Sequence, residues 1–175
     1  GGSRDFSDAD RRAAENFRDA AEAAHLKRIV YLGGLGSDAG KLSEHLASRH
    51  EVGFVLSSGK TPTTVLRAAV IIGSGSMSFE MIRHLTEVLP IMARPGWIRT
   101  RCQPIGVRDV MAILVAAIDD PEPEHRVFDI GGSDVLTYQE MMEAYAETAG
   151  LRKRIVVPVP LLGPRFSRAF VGMVT

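Results

Sequence analysis

The sequence has one cysteine, no excess of either charge and no long apolar run, and each of these absences excludes a class of protein. Its 175 residues include 21 basic and 21 acidic side chains, which gives a formal net charge of zero. Phosphate-binding surfaces usually leave a basic excess, so no nucleic-acid partner is expected. The single cysteine, Cys102, excludes an internal disulfide and a cysteine-rich metal site. No run approaches the ~18 apolar residues of a membrane span, so we expect no membrane partner and a cytoplasmic protein.

What is present is the composition of a globular protein, with 45% hydrophobic and 24% charged residues. Apolar runs of strand type alternate along the chain with helical patterns. The predicted helices are 7–24, 42–56, 78–89, 108–118 and 137–150, and the predicted strands are 28–32, 63–72, 126–130 and 154–159. Residues 90–104 are predicted to be a loop, and Thr137 followed by Glu140 predicts a capping box at the start of the last helix. This alternation indicates an α/β fold with a mostly parallel sheet.

Glycines follow three predicted strands, at positions 33, 73 and 131, and the carboxyl edge of a parallel sheet is where ligands bind. The segment Gly73-Ser-Gly75-Ser-Met-Ser78 comes nearest to the dinucleotide fingerprint G-x-G-x-x-G. Its sixth residue is serine, and no acidic residue ends a strand about 20 residues later to hold a ribose. We therefore interpret this segment as a tight turn between a strand and a helix.

Five segments resemble, in the correct order, the late segments of the extended-type short-chain dehydrogenase/reductase superfamily. They are residues 16–21, 27–34, 65–73, 103–110, and 127–132 followed by 136–140. The segment Gln103-Pro-Ile-Gly-Val-Arg-Asp-Val110, for example, is similar to the family's Q-P-V-x-V-x-D-V helix entry. The resemblance covers most of residues 7–160 and is strongest to the atypical NmrA-like branch, which includes nucleoside-diphosphate-sugar epimerase-like proteins.

The resemblance implies a partial Rossmann-like parallel sheet that lacks its first three strands, together with part of a small C-terminal substrate domain. Residues 1–4 would be a cloning scar, 5–135 the C-terminal part of the dinucleotide-binding domain, and 136–175 part of the substrate-side region. We therefore expect the chain to be an internal segment of a longer protein.

The family's Tyr-x-x-x-Lys helix aligns with His45-Leu-Ala-Ser-Arg49, and its catalytic hydroxyl position falls at Leu35, where no hydroxyl exists. The resemblance makes His45 and Arg49 the candidate catalytic residues. A neutral histidine can exchange protons near pH 7, whereas an arginine stays protonated and can only bind. Three interpretations of this helix remain open: a catalytic pair, a ligand contact without catalysis, and a solvent-facing helix of ordinary polar residues.

The other candidate residues follow from the same alignment. The residues expected to bind the cofactor are Gly33, Gly34, Leu35, Arg49, Ala68, Ala69, Val70 and Ile71. Those expected on the substrate side are Arg67, Gly73, Gly75 and Trp97. Arg67 interrupts an apolar strand, so it either contacts an anion or pairs with a carboxylate on a packed helix. The histidines show no metal-ligand spacing, and no metal site is predicted.

The resemblance implies an NAD(P)-binding protein that is weak or inactive as a reductase and acts as a binder or sensor. One alternative is an active oxidoreductase or nucleotide-sugar epimerase that uses His45 in place of tyrosine. Another is an assembly module that binds no nucleotide. We expect NAD or NADP as the cofactor of the longer parent protein and no binding, or very weak binding, by this chain. The substrate is unknown, and the chain is expected to self-associate or to pair with the missing N-terminal half.

Overall fold

A computed structural model describes residues 2–35, 44–88, 91–93, 96–152 and 155–157. Their helices are α1 (Gly2–Ala23), α2 (Glu44–Ser57), α3 (Met77–Val88), α4 (Val107–Ile118), α5 (Tyr138–Thr148) and a 3-10 helix at Gly96–Arg99. Their strands are β1 (Ile29–Gly34), β2 (Thr63–Ala68), β3 (Ile71–Ile72), β4 (Ile91–Ala93), β5 (Arg101–Cys102), β6 (Ile105–Gly106), β7 (Arg126–Ile130), β8 (Leu136–Thr137) and β9 (Ile155–Val157). The chain divides into a first unit, residues 1–69 and 107–131, and a second unit, residues 70–106 and 132–175.

The first unit is built on a parallel sheet of three strands in the order β1-β2-β7. The central strand β2 is buried and almost wholly apolar from Val65 to Ala68, with Arg67 as the exception. Such a continuous apolar run is typical of a parallel strand that is covered on both faces. The predicted α/β fold with a partial Rossmann-like parallel sheet is therefore confirmed.

Helix α1 packs on α2, and α2 packs on strands β1 and β2. Their shared core consists of Ala14, Ala21, Ile29, Val52, Val55 and Leu56. The small alanine side chains of α1 allow the two helices to approach closely. Phe17, which has helical spacing with these alanines, is instead half exposed on the outer side of α1.

The predicted strand 63–72 is wrong at its second half, because β2 ends at Ala68. The backbone N–H of Leu35 bonds to the carbonyl of Ala68 at 2.7 Å, at the position where both neighbouring strands also end. The chain then enters the second unit, where Val70 joins the core and its carbonyl accepts a hydrogen bond from the N–H of Ile105. Residues Ile71–Ile72 pair with Ile105–Gly106 in a separate small sheet.

The second unit has its own core around Val70, Ile82, Leu85, Ile98, Met141 and Met142. The segment predicted as a loop, 90–104, contains the short strands β4 and β5 and the 3-10 helix. Helix α5 begins as predicted with a capping box, in which Thr137 and Glu140 each accept a hydrogen bond from the other's backbone N–H. Helix α1, by contrast, begins at Gly2 and not at the predicted Ser7. None of the helices in the described part of the chain is long and apolar enough to cross a membrane.

Candidate functional site

The candidate site in the first unit lies where β1 and β2 end together. Gly33 and Gly34 are the last residues of β1, and they are in register with Arg67 and Ala68 at the end of β2. Leu35 follows directly and is held to Ala68 by its backbone N–H. The structure therefore brings together five of the residues that the sequence predicted for a ligand site, at the carboxyl edge where open parallel sheets bind ligands.

Arg67 forms an ion pair with Asp129 on the neighbouring strand β7. Its Nε donates a hydrogen bond of 2.6 Å to Oδ1 of Asp129, which is in register with Arg67 on β7. An ion pair of Arg67 was predicted with a carboxylate on a packed helix. The helix was wrong, because the pairing of β2 with β7 places Asp129 beside Arg67. The Asp129 side chain is half exposed, so this pair contributes at most about 1 kcal/mol to stability.

A cavity of about 220 Å³ lies between α2 and the face of the sheet, and we call it the α2 cavity. Helix α2 contributes Arg49, His50, Gly53, Phe54 and Ser57, and the strands contribute Gly33, Gly34, Val65, Arg67 and Val127. A Cβ atom on Gly53 would lie 3.3 Å from Cγ1 of Val65, so a larger residue here would require Val65 to shift by a few tenths of an ångström. The absence of a side chain at this position lets α2 approach the central strand.

Arg49 is half-buried at the α2 cavity, beside the carboxyl end of β1. Its backbone carbonyl accepts a hydrogen bond from the hydroxyl of Tyr31. Its guanidinium has no hydrogen-bond or ion-pair partner among the described residues. This side chain could therefore bind an anion or a ribose hydroxyl without first breaking an internal ion pair.

His50 is a site residue that the sequence interpretation missed. Its Nε2 lies 3.1 Å from the carbonyl oxygen of Gly34 and so connects α2 to the end of β1. Sequence reasoning assigned His50 no role of its own, and it fitted the solvent-facing interpretation of this helix as one of several polar residues. Only the packing of α2 on the sheet reveals this contact, and no sequence motif signals it.

His45 lies within α2, but its side chain is outside the described part of the chain. Asp10 on α1 accepts a hydrogen bond of 2.8 Å from the hydroxyl of Ser48 on α2. Asp10 thus links α1 to α2. The catalytic roles assigned to His45 and Arg49 stay predictions.

The predicted residues Val70, Ile71, Gly73, Gly75 and Trp97 belong to the second unit. Gly75 has a φ of +83°, which fits the tight turn predicted between a strand and a helix. Trp97 packs edge-on against Tyr138, with ring centroids 5.6 Å apart. The turn conformation explains the glycine at position 75, and packing on Tyr138 explains the position of Trp97. The substrate-side role of both residues stays a prediction.

The cysteine of the second unit is partly buried beside Tyr138 and Met141. Burial raises the pKa of the Cys102 thiol, and burial together with Cys102 raises the pKa of Tyr138. Both groups are therefore held in their neutral forms near pH 7. A thiol in this state is a poor nucleophile.

Comparison with known proteins identifies the fold. No family model matches the chain. A curated protein of Arabidopsis thaliana, the mitochondrial NADH dehydrogenase [ubiquinone] 1 alpha subcomplex subunit 9, is 26% identical over 140 residues, which are 79% of this chain and 35% of that protein. The chain thus spans about a third of the length of this relative.

Three solved structures share the fold of this chain. The Bordetella bronchiseptica enzyme WbmG, in complex with NAD and UDP, has a TM-score of 0.69 and 15% identity, covering 98% of this chain and 62% of that one. The UDP-glucose 4-epimerase of Thermotoga maritima, with UDP-glucose, has a TM-score of 0.69 and 14% identity, covering 91% and 60%. The UDP-glucuronic acid 4-epimerase of Bacillus cereus, in complex with NAD, has a TM-score of 0.66 and 12% identity, covering 83% and 54%. The resemblance to the extended-type short-chain dehydrogenase/reductases is confirmed at the level of the fold.

Proposed function

We propose that this chain is part of an NAD(P)-binding protein of the extended short-chain dehydrogenase/reductase type, in which the joint end of β1 and β2 faces the nicotinamide half of the cofactor. The observation that carries the proposal is the register of Gly33 and Gly34 with Arg67 and Ala68, beside the guanidinium of Arg49, which has no partner among the described residues. Glycines at the end of β1 leave room for a ligand to approach the backbone. NAD in complex with two of the similar structures supports the cofactor class.

The residues present favour binding over catalysis. Leu35 stands at the hydroxyl position and Arg49 at the lysine position of the family's catalytic set. An arginine remains protonated, so Arg49 could hold ribose hydroxyls but could not take part in a proton relay. We therefore propose a weak or inactive reductase that acts as a binder or sensor. A cytoplasmic location is part of this proposal, although the name of the plant relative places that protein in mitochondria.

Calorimetric titration of NAD and NADP into this chain and into a longer protein that includes the glycine-rich half tests the proposal. We expect very weak binding by the 175-residue chain, because its sequence lacks the fingerprint whose amides hold a pyrophosphate. We expect micromolar binding by the longer protein, weakened by Arg49→Gln and unchanged by Arg83→Gln on the surface of α3. Failure of the longer protein to bind either cofactor would contradict the proposal.

The alternative in which His45 replaces the catalytic tyrosine predicts a different result. In the longer protein, His45→Ala would then abolish turnover of a reactive substrate and leave cofactor affinity nearly unchanged. Unchanged turnover in this variant would exclude His45 as the proton donor or acceptor.

A role in assembly is supported by the surface of α4. Its outer side exposes an apolar stripe at helical spacing, made of Val107, Met111, Val115 and Ile118. Strand β1 is at the edge of the sheet in the part of the chain that the structure describes. Exposed apolar stripes and open sheet edges favour association.

We propose that the first unit pairs through these two features with a βα half of the same fold, or with a second copy when that half is absent. Light scattering should show a dimer or larger species for this chain, and Met111→Glu/Val115→Glu should shift it towards the monomer. A monomeric wild-type chain would contradict self-association.

A further inference from the structure

The α2 cavity contains two polar groups that have no partner in the part of the chain that the structure describes. One is the guanidinium of Arg49, and the other is Oγ of Ser57, which is buried and makes no hydrogen bond. A buried hydroxyl without a partner is unfavourable, because it has lost its hydrogen bonds to water and gained none in return. Groups of this kind are retained more readily where a ligand supplies the missing hydrogen bond.

The two polar groups lie at opposite ends of the cavity. Arg49, Gly53 and Ser57 are spaced four residues apart, so they share one face of α2. Eight residues of helix place Arg49 and Ser57 about 12 Å apart along the helix axis. Gly53 lies between them and contributes no side chain.

The surface between these two ends is apolar. Phe54 on α2 is 77% exposed and Val127 on β7 is 57% exposed, while Val65 on β2 is buried behind them. A ligand chain lying in the cavity would remove these two exposed side chains from water. Burial of this apolar surface would favour binding.

We propose that the α2 cavity binds a small anionic amphiphile, with its carboxylate at Arg49, its apolar chain along Phe54 and Val127, and a distal hydroxyl at Ser57. A volume of about 220 Å³ lies below the roughly 300–1,000 Å³ of pockets for drug-sized ligands, so the ligand is slender. This site shares Arg49, Gly33 and Gly34 with the dinucleotide contact proposed above, but it extends from there along α2 to Phe54 and Ser57, which that contact does not use.

Calorimetric titration of three probes of similar length into the full chain tests the proposal. The probes are ω-hydroxydecanoate, which has both polar ends, decanoate, which has only the anionic end, and decanol, which has only a neutral hydroxyl. We expect saturable binding of one molecule per chain, tightest for ω-hydroxydecanoate and weakest for decanol.

Two variants assign the ends of the ligand. Arg49→Gln should weaken the binding of both carboxylates by about 10-fold or more, as expected for loss of a charge-assisted hydrogen bond, and should leave decanol unchanged. Ser57→Ala should remove the preference for ω-hydroxydecanoate over decanoate and leave the affinity for decanoate unchanged. Arg83→Gln, on the surface of α3, is the matched control for the loss of one guanidinium and should bind like the wild type.

The absence of saturable binding of any probe would overturn the proposal. So would equal affinities for the three probes, or unchanged carboxylate binding by an Arg49→Gln variant whose thermal unfolding matches that of the wild type. Ser57→Ala also separates this site from the proposed function, because it should leave NAD(P) binding by the longer protein intact. If the longer protein binds the amphiphiles but does not bind NAD(P), only the proposed function is contradicted.

Discussion

The hydroxyl of Ser48 donates a hydrogen bond of 2.8 Å to Oδ2 of Asp10, and this bond joins α2 to α1 beside the shared core of the two helices. Ser48 is only 4% exposed, so its hydroxyl bonds to the carboxylate of Asp10 and not to water. The bond fixes the position of α2, which carries Arg49 as the next residue. The candidate ligand-binding residue is therefore placed by an interhelical contact.

Removal of this bond should destabilise the first unit. We expect Ser48→Ala to lower the free energy of unfolding by about 1.5–3 kcal/mol, as is typical for a hydrogen bond to a charged group. Denaturant unfolding measures this loss. Ser133→Ala is the matched control, since Ser133 donates a similar bond to Asp134 on the exposed surface, and it should cost little. Equal effects of the two substitutions would show that the Ser48–Asp10 bond carries no special weight.

The central strand should be the most sensitive part of the first unit to loss of volume. Leu66 on β2 is 2% exposed, and Leu66→Ala is expected to cost about 2–5 kcal/mol through lost burial and a residual cavity. Val115→Ala on the exposed side of α4 is the control and should change stability by less than about 0.5 kcal/mol in the monomer. The two variants would be compared by their midpoints of urea unfolding, provided that the dependence of the free energy of unfolding on urea concentration is unchanged.

The capping box of α5 makes the second unit sensitive to acid. Hydrogen bonds from the backbone N–H and the hydroxyl of Thr137 lower the pKa of Glu140 below its ordinary value. A carboxylate whose pKa is lowered by folding stabilises the protein above its unfolded-state pKa. That contribution is lost as the pH falls through the lowered pKa of the folded state.

We therefore expect Glu140→Gln to reduce stability near pH 7 and to remove this part of the acid sensitivity. Thermal unfolding between neutral pH and pH 3 would measure it. Glu143→Gln, one turn further along α5, retains the capping box and is the control. A wild-type pH profile parallel to that of Glu140→Gln would contradict the assigned role of Glu140.

Cys102 should react slowly with thiol reagents. Because burial raises the pKa of its thiol, the fraction present as thiolate near pH 7 is smaller than in a free cysteine. Labelling with a chromogenic disulfide in the folded protein should be slower than in denaturant, where one thiol per chain should react rapidly. Labelling of the folded chain as fast as that of the denatured chain would show that Cys102 is not protected.

The sequence predicted the features that depend on local chemistry. The alternation of apolar runs and helical patterns predicted the parallel sheet, and Thr137 followed by Glu140 predicted the capping box. Both follow from residues close together in the chain. The order of the family-like segments added the fold, which the solved structures confirm.

The sequence did not predict the contacts that depend on packing between distant segments. The Arg67–Asp129 pair joins residues 62 positions apart, and the pairing register of β2 and β7 alone places them side by side. The end of β2 at Ala68 was missed for a similar reason, because residues 69–72 remain apolar although the neighbouring strands have ended. His50 was missed because its contact with Gly34 needs the orientation of α2 on the sheet.

The two partners of the central strand differ in when they become available. Strand β1 precedes β2 in the chain, whereas β7 follows it only after residues 70–106 of the second unit and helix α4. Closing so long a loop costs entropy before any pairing compensates for it, and non-local strand pairs of this kind form slowly. During synthesis from the N-terminus, the edge of β2 that pairs with β7 therefore stays unpaired until the chain has been made up to residue 130. The sheet of the first unit is therefore completed only after residues 70–106, which belong to the second unit, have been synthesised.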